Sequence, residues 1–148
     1  MIIFGVDPGT ATTGYGIIRH IKNPPSVKTS EGEQKSKIKN GIELIDYGCI
    51  VTSKAQEMPL RLYSIQKELK GLLRRYKPDC VIVEQLFFGI NSRTAMSVGQ
   101  ARGVVLSAAA GYFGLSRNKL SYRLPVFEYQ GLHVKFILTG SGKADKKE

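Results

Sequence analysis

Two carboxylates, each at the end of an apolar segment typical of a buried strand, are the best candidates for chemistry in this chain. Asp7 ends the run Met1–Val6 and is followed at once by a Pro-Gly turn. Glu84 ends a second apolar run, Cys80–Val83. A buried strand normally leaves its charges to the loop beyond it, so we expect Asp7 on the sheet surface that faces the substrate.

If these two strands are neighbours, the two side chains emerge close together. Two carboxylates held close repel each other, and each raises the pKa of the other unless a cation lies between them. Their hard oxygen atoms suit Mg²⁺ or Mn²⁺, which keep water ligands and engage substrate phosphates. Two such ions about 4 Å apart would activate water and stabilise the leaving oxygen of a phosphodiester.

The alternative is that Asp7 only caps the Pro-Gly turn and Glu84 is a solvated strand end. The charge of the whole chain favours the metal hypothesis, because the 22 Lys and Arg residues outnumber the 12 Asp and Glu residues and give a formal net charge of +10. Such an excess favours an anionic partner, most commonly nucleic acid. A protein that is basic only for solubility is the competing interpretation.

The length of 148 residues predicts one compact domain, residues 1–148, with a hydrophobic core. No apolar run approaches the roughly 18 residues that span a bilayer, and no secretion signal is recognisable. Cys49 and Cys80 lie in apolar strand patterns and are expected to be reduced core thiols of a cytoplasmic protein. A disulfide or a zinc site is not expected.

The segments that must position the carboxylates have the order three strands, helix, strand, helix, strand, helix. The predicted elements are strands over Met1–Val6, Tyr15–Arg19, Ile42–Thr52, Cys80–Glu84 and Leu124–Tyr129, and helices over Pro59–Tyr76, Ser92–Ala110 and Gly131–Thr139. The first three strands indicate an antiparallel meander, and the later ones indicate α/β crossovers. His20–Gly41 is predicted to be a long mobile hairpin loop, and Gly111–Arg123 a basic loop.

Two long blocks of this sequence resemble the signature blocks of the RuvC family of Holliday junction resolvases, the crossover junction endodeoxyribonucleases. They are "GVDPGTATTGYGII" and "VIVEQLFFGINSRTAMSVGQARGVVLSAAA". The stretches "RLYSIQKEL", "LPVFEY" and "VKFILTGSGKADK" match the same family in order and spacing. Only His20–Gly41 and Gly111–Arg123 fall outside the match, as insertions. The resemblance implies an α/β, ribonuclease H-like fold, with a mixed central sheet flanked by helices.

The resemblance also implies roles for individual residues. Asp7 and Glu84 match the first two catalytic carboxylates, which ligate the divalent metal ions. Phe87 matches an aromatic residue beside the crossover point of the junction, although a core phenylalanine is the alternative. Lys135 and Lys146 match basic residues that face the DNA, against the alternative of solvated surface lysines.

The helix with Ala95, Gly99 and Gly103 at four-residue steps lets another backbone come close, either the sheet or a partner subunit. It resembles the helix through which resolvase subunits pair, which implies a homodimer with two active sites on one four-way junction. The implied activity is an endonuclease, dependent on Mg²⁺ or Mn²⁺ with two ions per site, that makes paired symmetric nicks in recombination and DNA repair. The RuvA–RuvB branch-migration complex is a candidate partner.

One feature departs from the family pattern. The family completes its metal site with two further acidic positions on a helix that would follow Glu148, so we expect a truncated domain that cuts weakly or not at all. A junction-binding module without catalysis is therefore an alternative, and a ribonuclease H-like nuclease of ribosomal RNA precursors is a third. The remaining acids that were considered match nothing catalytic, and His133 is expected to be a partly buried structural residue. These acids are Asp46, Asp79, Glu128 and Asp145.

Overall fold

The structure is a computed structural model, and it describes residues 1–22, 38–39, 41–85, 92–116, 119–131, 133, 136–137 and 140. Within these residues, eight strands and two long helices follow one another. In order they are β1 (Ile2–Asp7), β2 (Thr12–His20), β3 (Ile38–Lys39), β4 (Ile42–Val51), α1 (Met58–Tyr76), β5 (Cys80–Gln85), α2 (Ser92–Ala110), β6 (Phe113–Ser116), β7 (Lys119–Arg123) and β8 (Val126–Gln130).

Six of these strands form one mixed sheet with the order β3-β4-β2-β1-β5-β8. Strands β1 to β4 pair in antiparallel fashion, whereas β5 lies parallel to both β1 and β8. The predicted fold class, an antiparallel meander followed by parallel strands with helical crossovers, is confirmed. No helix in the described part of the chain is long and apolar enough to cross a membrane.

The hydrophobic core lies between one face of the sheet and the two helices. Alternate residues of β1 and β5 point towards the helices, as the period of two along a strand requires. The apolar stripe predicted on α1 supplies its inner side, and small residues of α2 complete the layer. The buried residues at this contact are Phe4, Val6, Val81, Val83, Ile65, Leu69, Leu73, Ala101, Val105, Ala108 and Ala109.

Both ends of α1 are well defined, and its C-terminal end is also bonded to the sheet. Proline occupies the first turn, where its missing N–H group leaves no helical hydrogen bond unmade. At the other end, Lys77 adopts a left-handed conformation (φ 47°) and donates its N–H to the Leu73 carbonyl over 2.9 Å. The Tyr76 hydroxyl donates to the Asp46 carboxylate on β4. This hydrogen bond lowers the pKa of Asp46 and raises the pKa of Tyr76.

Replacing Leu73 with alanine is expected to lower the free energy of unfolding by about 2–5 kcal/mol, because its side chain is 2% exposed between α1 and the sheet. Leu60 lies on the same helix with 55% of its surface exposed, so Leu60→Ala is the matched control and should cost less than about 0.5 kcal/mol. Urea unfolding followed by circular dichroism measures both values. Equal losses in the two variants would contradict this assignment of the core.

The two segments predicted as loops contain strands. Ile38 and Lys39 form β3 and pair with Glu43 and Ile42. An Asn-Gly pair, the common signal of a tight hairpin, lies between them, and Gly41 has the positive φ of 74° that such a turn uses. In the second segment, β6 and β7 form a separate antiparallel hairpin. Composition and the lack of periodicity indicated a loop in the first segment and positive charge did so in the second, but neither determines whether the backbone pairs.

Two predictions of burial were wrong. Cys80 is buried, and this burial raises the pKa of its thiol, but Cys49 is exposed. Cys49 pairs with Gly14, whereas the next residue, Ile50, is buried in the core, so the alternation along β4 turns Cys49 away from the helices. His133 was expected to be partly buried and is exposed. Gly140 directly follows the helix predicted over Gly131–Thr139; it has a φ of 75° and donates its N–H to the Phe136 carbonyl over 2.9 Å, as a C-terminal helix cap does.

Candidate active site

Strand pairing brings Asp7 and Glu84 to the same edge of the sheet. Strands β1 and β5 are parallel neighbours, and Val6 lies beside Val83 in their register. The next residue on each strand is therefore one of the two carboxylates, on backbones about 4.8 Å apart. Because Val6 and Val83 are buried against the helices, the alternation along each strand directs Asp7 and Glu84 to the opposite, open face, where both are exposed.

The two carboxylates line one groove of about 390 Å³ on this open face. Four glycines line it, and three of them lie on β1 and β2: Gly14 lies opposite Asp7, and Gly5 lies opposite Gly16. A Cβ atom placed on Gly16 would meet no other atom of the described part of the chain within 4 Å. The other lining residues are Val6, Tyr15, Gly48, Ile82 and Tyr129. Because the glycines have no side chains, an extended polymer has room to reach Asp7 and Glu84.

The turn that follows Asp7 is tightly fixed. The Thr13 hydroxyl donates to the Gly9 carbonyl over 2.7 Å, and the Gly9 N–H group points back to the same hydroxyl at 3.5 Å. A Cβ atom on Gly9 would lie 2.4 Å from the Thr12 carbonyl oxygen, so only glycine fits there. Pro8 and Thr10 are buried. The turn is therefore part of the packed body of the domain and gives Asp7 a rigid neighbour.

Glu84 lies between a tyrosine and a glycine. Its register partner on β8 is Tyr129, whose side chain lines the groove and is 45% exposed. A Cβ atom on Gly131 would lie 2.1 Å from Glu84 Oε1, so the carboxylate packs directly against the Gly131 backbone. Sequence reasoning did not find Tyr129, Gly131 or the groove glycines. For Tyr129, the period of two along a strand was an available signal. Glu128 faces the helices, where it pairs with Arg102 of α2, so the next residue, Tyr129, faces the groove.

The donor set of the groove matches a hard divalent cation. Magnesium is commonly held by one or two carboxylates, with waters and substrate phosphates completing its shell. In the ranges that the structure describes, no group of three or more His, Cys, Asp or Glu side chains could hold a metal ion. Asp7 and Glu84 are the carboxylates of the groove that could hold such an ion.

The remaining residues considered for the site either lie outside the described residues or have structural partners. Phe87, Lys135 and Lys146 lie outside the described residues, so their DNA-facing roles stay predictions, and Asp145 lies outside as well. The other acids that had been set aside have structural partners. Asp46 accepts the Tyr76 hydroxyl, Asp79 accepts the Ile2 N–H at 2.6 Å, and Glu128 pairs with Arg102.

The small-residue strip of α2 is not covered by the described part of the sheet. Among the described residues, a Cβ atom placed on Gly99 or Gly103 would meet no atom within 4 Å beyond the backbone of the helix itself, and Gly103 is exposed. Met96, on the same helix, keeps 73% of its surface exposed. The sequence left two possible neighbours for this strip, the sheet or a partner subunit. In the described residues, the sheet does not approach it.

Comparison with known proteins gives one consistent result. The family model described as "Crossover junction endodeoxyribonuclease RuvC" matches residues 3–148. The protein of that name from Syntrophomonas wolfei is 45% identical over 150 residues, which cover 100% of this chain and 70% of the relative. The protein of that name from Desulforamulus reducens is 40% identical over 148 residues, covering 100% of this chain and 74% of the relative.

A solved structure agrees with these relatives. Thermus thermophilus RuvC in complex with a Holliday junction substrate superposes with a TM-score of 0.70 at 29% identity, over 99% of this chain and 73% of that one. A likeness at this level covers the whole sheet and both helices. The ribonuclease H-like architecture expected from the sequence is confirmed by it.

Proposed function

Because this chain belongs to the RuvC family of crossover junction endodeoxyribonucleases, we propose that it cleaves four-way DNA junctions with the help of divalent metal ions. The observation that carries this proposal is the groove in which Asp7 and Glu84, from neighbouring parallel strands, lie on one open face. The Thermus thermophilus relative was solved with a Holliday junction, which supports the choice of substrate. The net charge of +10 supports a polyanionic ligand.

In this proposal Asp7 and Glu84 hold Mg²⁺, or Mn²⁺ in its place. When bound, the cation supplies Lewis-acid stabilisation of the phosphate and lowers the pKa of water. Strand pairing fixes the backbones that carry the two carboxylates before substrate arrives, which limits the reorganisation needed when DNA binds. The groove glycines leave the scissile phosphate a path to the acids, and basic side chains hold the DNA backbone largely without reading its sequence.

The wider assembly is also part of this proposal. Paired symmetric nicks require two active sites on one junction, and the uncovered strip of α2 with Ala95, Gly99 and Gly103 is the proposed surface for a homodimer. Phe87, Lys135 and Lys146 are proposed DNA contacts, as the family resemblance implies. We further propose two metal ions per complete site, a cytoplasmic role in recombination and repair, and the RuvA–RuvB complex as a partner.

A second candidate function is junction binding without cleavage. The small donor set favours it, because the described residues offer no cluster of three or more potential ligands. A groove with two carboxylates can still attract a cation and a phosphate without holding two ions for hydrolysis. The two functions predict the same DNA affinity and different products.

Incubating the purified chain with a synthetic four-way junction tests both functions. We expect preferential binding of the junction over linear duplex of the same sequence in Ca²⁺, and nicks of matched polarity on opposite arms in Mg²⁺ or Mn²⁺. Binding without nicks in either metal would favour the module. Equal affinity for junction and duplex, or tighter binding of a structured RNA at equal salt, would contradict the proposed substrate.

A further inference from the structure

Two residues outside the groove are joined by hydrogen bonds to the turn that follows Asp7. Thr52 comes directly after β4, and its hydroxyl donates to the Thr10 carbonyl. Its backbone N–H donates to the Ala11 carbonyl over 3.0 Å. Arg61, on the first turns of α1, donates its Nε–H to the Thr52 hydroxyl over 2.9 Å. A continuous relay therefore runs from α1 through Thr52 to the turn.

The direction of these hydrogen bonds is set by chemistry. A guanidinium group can only donate, so the Thr52 oxygen must accept from Arg61, and the single hydroxyl proton is then available for the Thr10 carbonyl. Thr52 is 6% exposed and Thr10 is 8% exposed, so water offers little replacement. The charged donor also makes its bond stronger than one between neutral groups.

The turn is held from two sides, by Thr13 and by the relay. Thr13 binds Gly9 from within the turn, as described above, while Thr52 binds Thr10 and Ala11 from the neighbouring strand. Arg61 is itself anchored, because its backbone N–H donates to the Glu57 carbonyl over 3.1 Å. The position of α1 thus determines where the backbone just beyond Asp7 can lie.

We propose that Thr52 and Arg61 are positioning residues, which hold the turn so that the Asp7 carboxylate stays beside Glu84 and the two can share a cation. This inference rests on the proposed function. Neither residue lines the groove, so neither is a catalytic residue. Groups that orient the ligands of a metal are typically worth 10–100-fold in metal affinity, and a relay that acts through a turn should lie near the lower figure.

Direct metal binding tests the proposal without any need for catalysis. Mn²⁺ is titrated into the full chain, and the free ion is counted by electron paramagnetic resonance. Thr52→Val keeps the shape of the side chain and removes the hydroxyl, and we expect it to raise the Kd for Mn²⁺ about tenfold. Thr52→Ser restores the hydroxyl and should stay within about twofold of the unchanged chain.

Arg61→Met provides a second variant, in case Thr52→Val fails to fold, and should raise the Kd by about threefold or more. Arg74→Ala is the matched control, since Arg74 lies on the same helix and its Nε–H donates only within it, to the Lys70 carbonyl over 3.0 Å. The Kd of Arg74→Ala for Mn²⁺ should not change. Urea unfolding of each variant separates the two explanations, because a purely structural role would lower stability and leave the Kd unchanged.

The outcomes are distinguishable from failure of the proposed function. If Asp7→Asn binds Mn²⁺ as tightly as the unchanged chain, the metal site itself is wrong. If Asp7→Asn loses Mn²⁺ but folded Thr52→Val and Arg61→Met do not, only the positioning role is overturned. A loss of junction affinity in Arg61→Met, measured without metal and with an unchanged Kd for Mn²⁺, would overturn it too and make Arg61 a DNA contact.

Discussion

Asp7→Asn is expected to lower the single-turnover rate of junction cleavage by more than about 100-fold while the domain stays folded. Asparagine has the same shape but lacks the charge and the second anionic oxygen that a hard cation requires, and even groups that only orient metal ligands are worth 10–100-fold. Asp7 lies opposite Gly14 on an exposed face, so the substitution creates no clash. Rates are measured with protein in excess over labelled junction in Mg²⁺, alongside the Kd for Mn²⁺.

The control for this substitution is Glu43→Gln, which removes a carboxylate from the same sheet away from the groove. Glu43 lies on β4 and pairs with Arg19 over 2.8 Å. An exposed ion pair contributes about 0–1 kcal/mol to stability, so cleavage and Mn²⁺ affinity should stay within about twofold of the unchanged chain. If Asp7→Asn behaved like this control, Asp7 would be a structural end to its strand and the metal hypothesis would fail.

Glu84→Gln is expected to cause a loss as large as that of Asp7→Asn, and the double variant should lose no more than either single one. Groups that act on one bound ion behave as a unit, so removing the second ligand costs little after the first is gone. The readouts are again the single-turnover rate and the Kd for Mn²⁺ in all four chains. Losses that multiply in the double variant would indicate two carboxylates acting separately.

The sequence was sufficient to predict both long helices, five strands of the main sheet and the approach of the two acids. Ser92–Ala110 was predicted as a helix with the bounds that the structure has, and the apolar runs before Asp7 and Glu84 were predicted as strands. Their adjacency was an expectation from the order of the elements, and the structure pairs β1 with β5 even though α1 enters β5 from β4, which is not its neighbour. Patterns of this kind depend on local composition and on short periods, which a single sequence contains.

The rest of the site depends on register and on distant contacts. Thr52 meets Thr10 across 42 positions of the chain, and nothing local to either residue indicates the partner. Cys49 was misplaced because an apolar run does not say which alternate residues face the helices. Tyr129 comes beside Glu84 only through the pairing of β8 with β5. Such facts follow from how strands align, which composition leaves open.

The apolar residues on one face of β1 and β5 and the acids on the other also oppose misfolding. A shift of β1 by one position would point the Val6 side chain to solvent and the Asp7 side chain into the helical layer. Burial of an unpaired negative charge there would cost much free energy. Glu84 imposes the same penalty on β5. Asp7 and Glu84 therefore also oppose a shift in strand register while the chain folds, and an apolar replacement of either residue would remove this penalty.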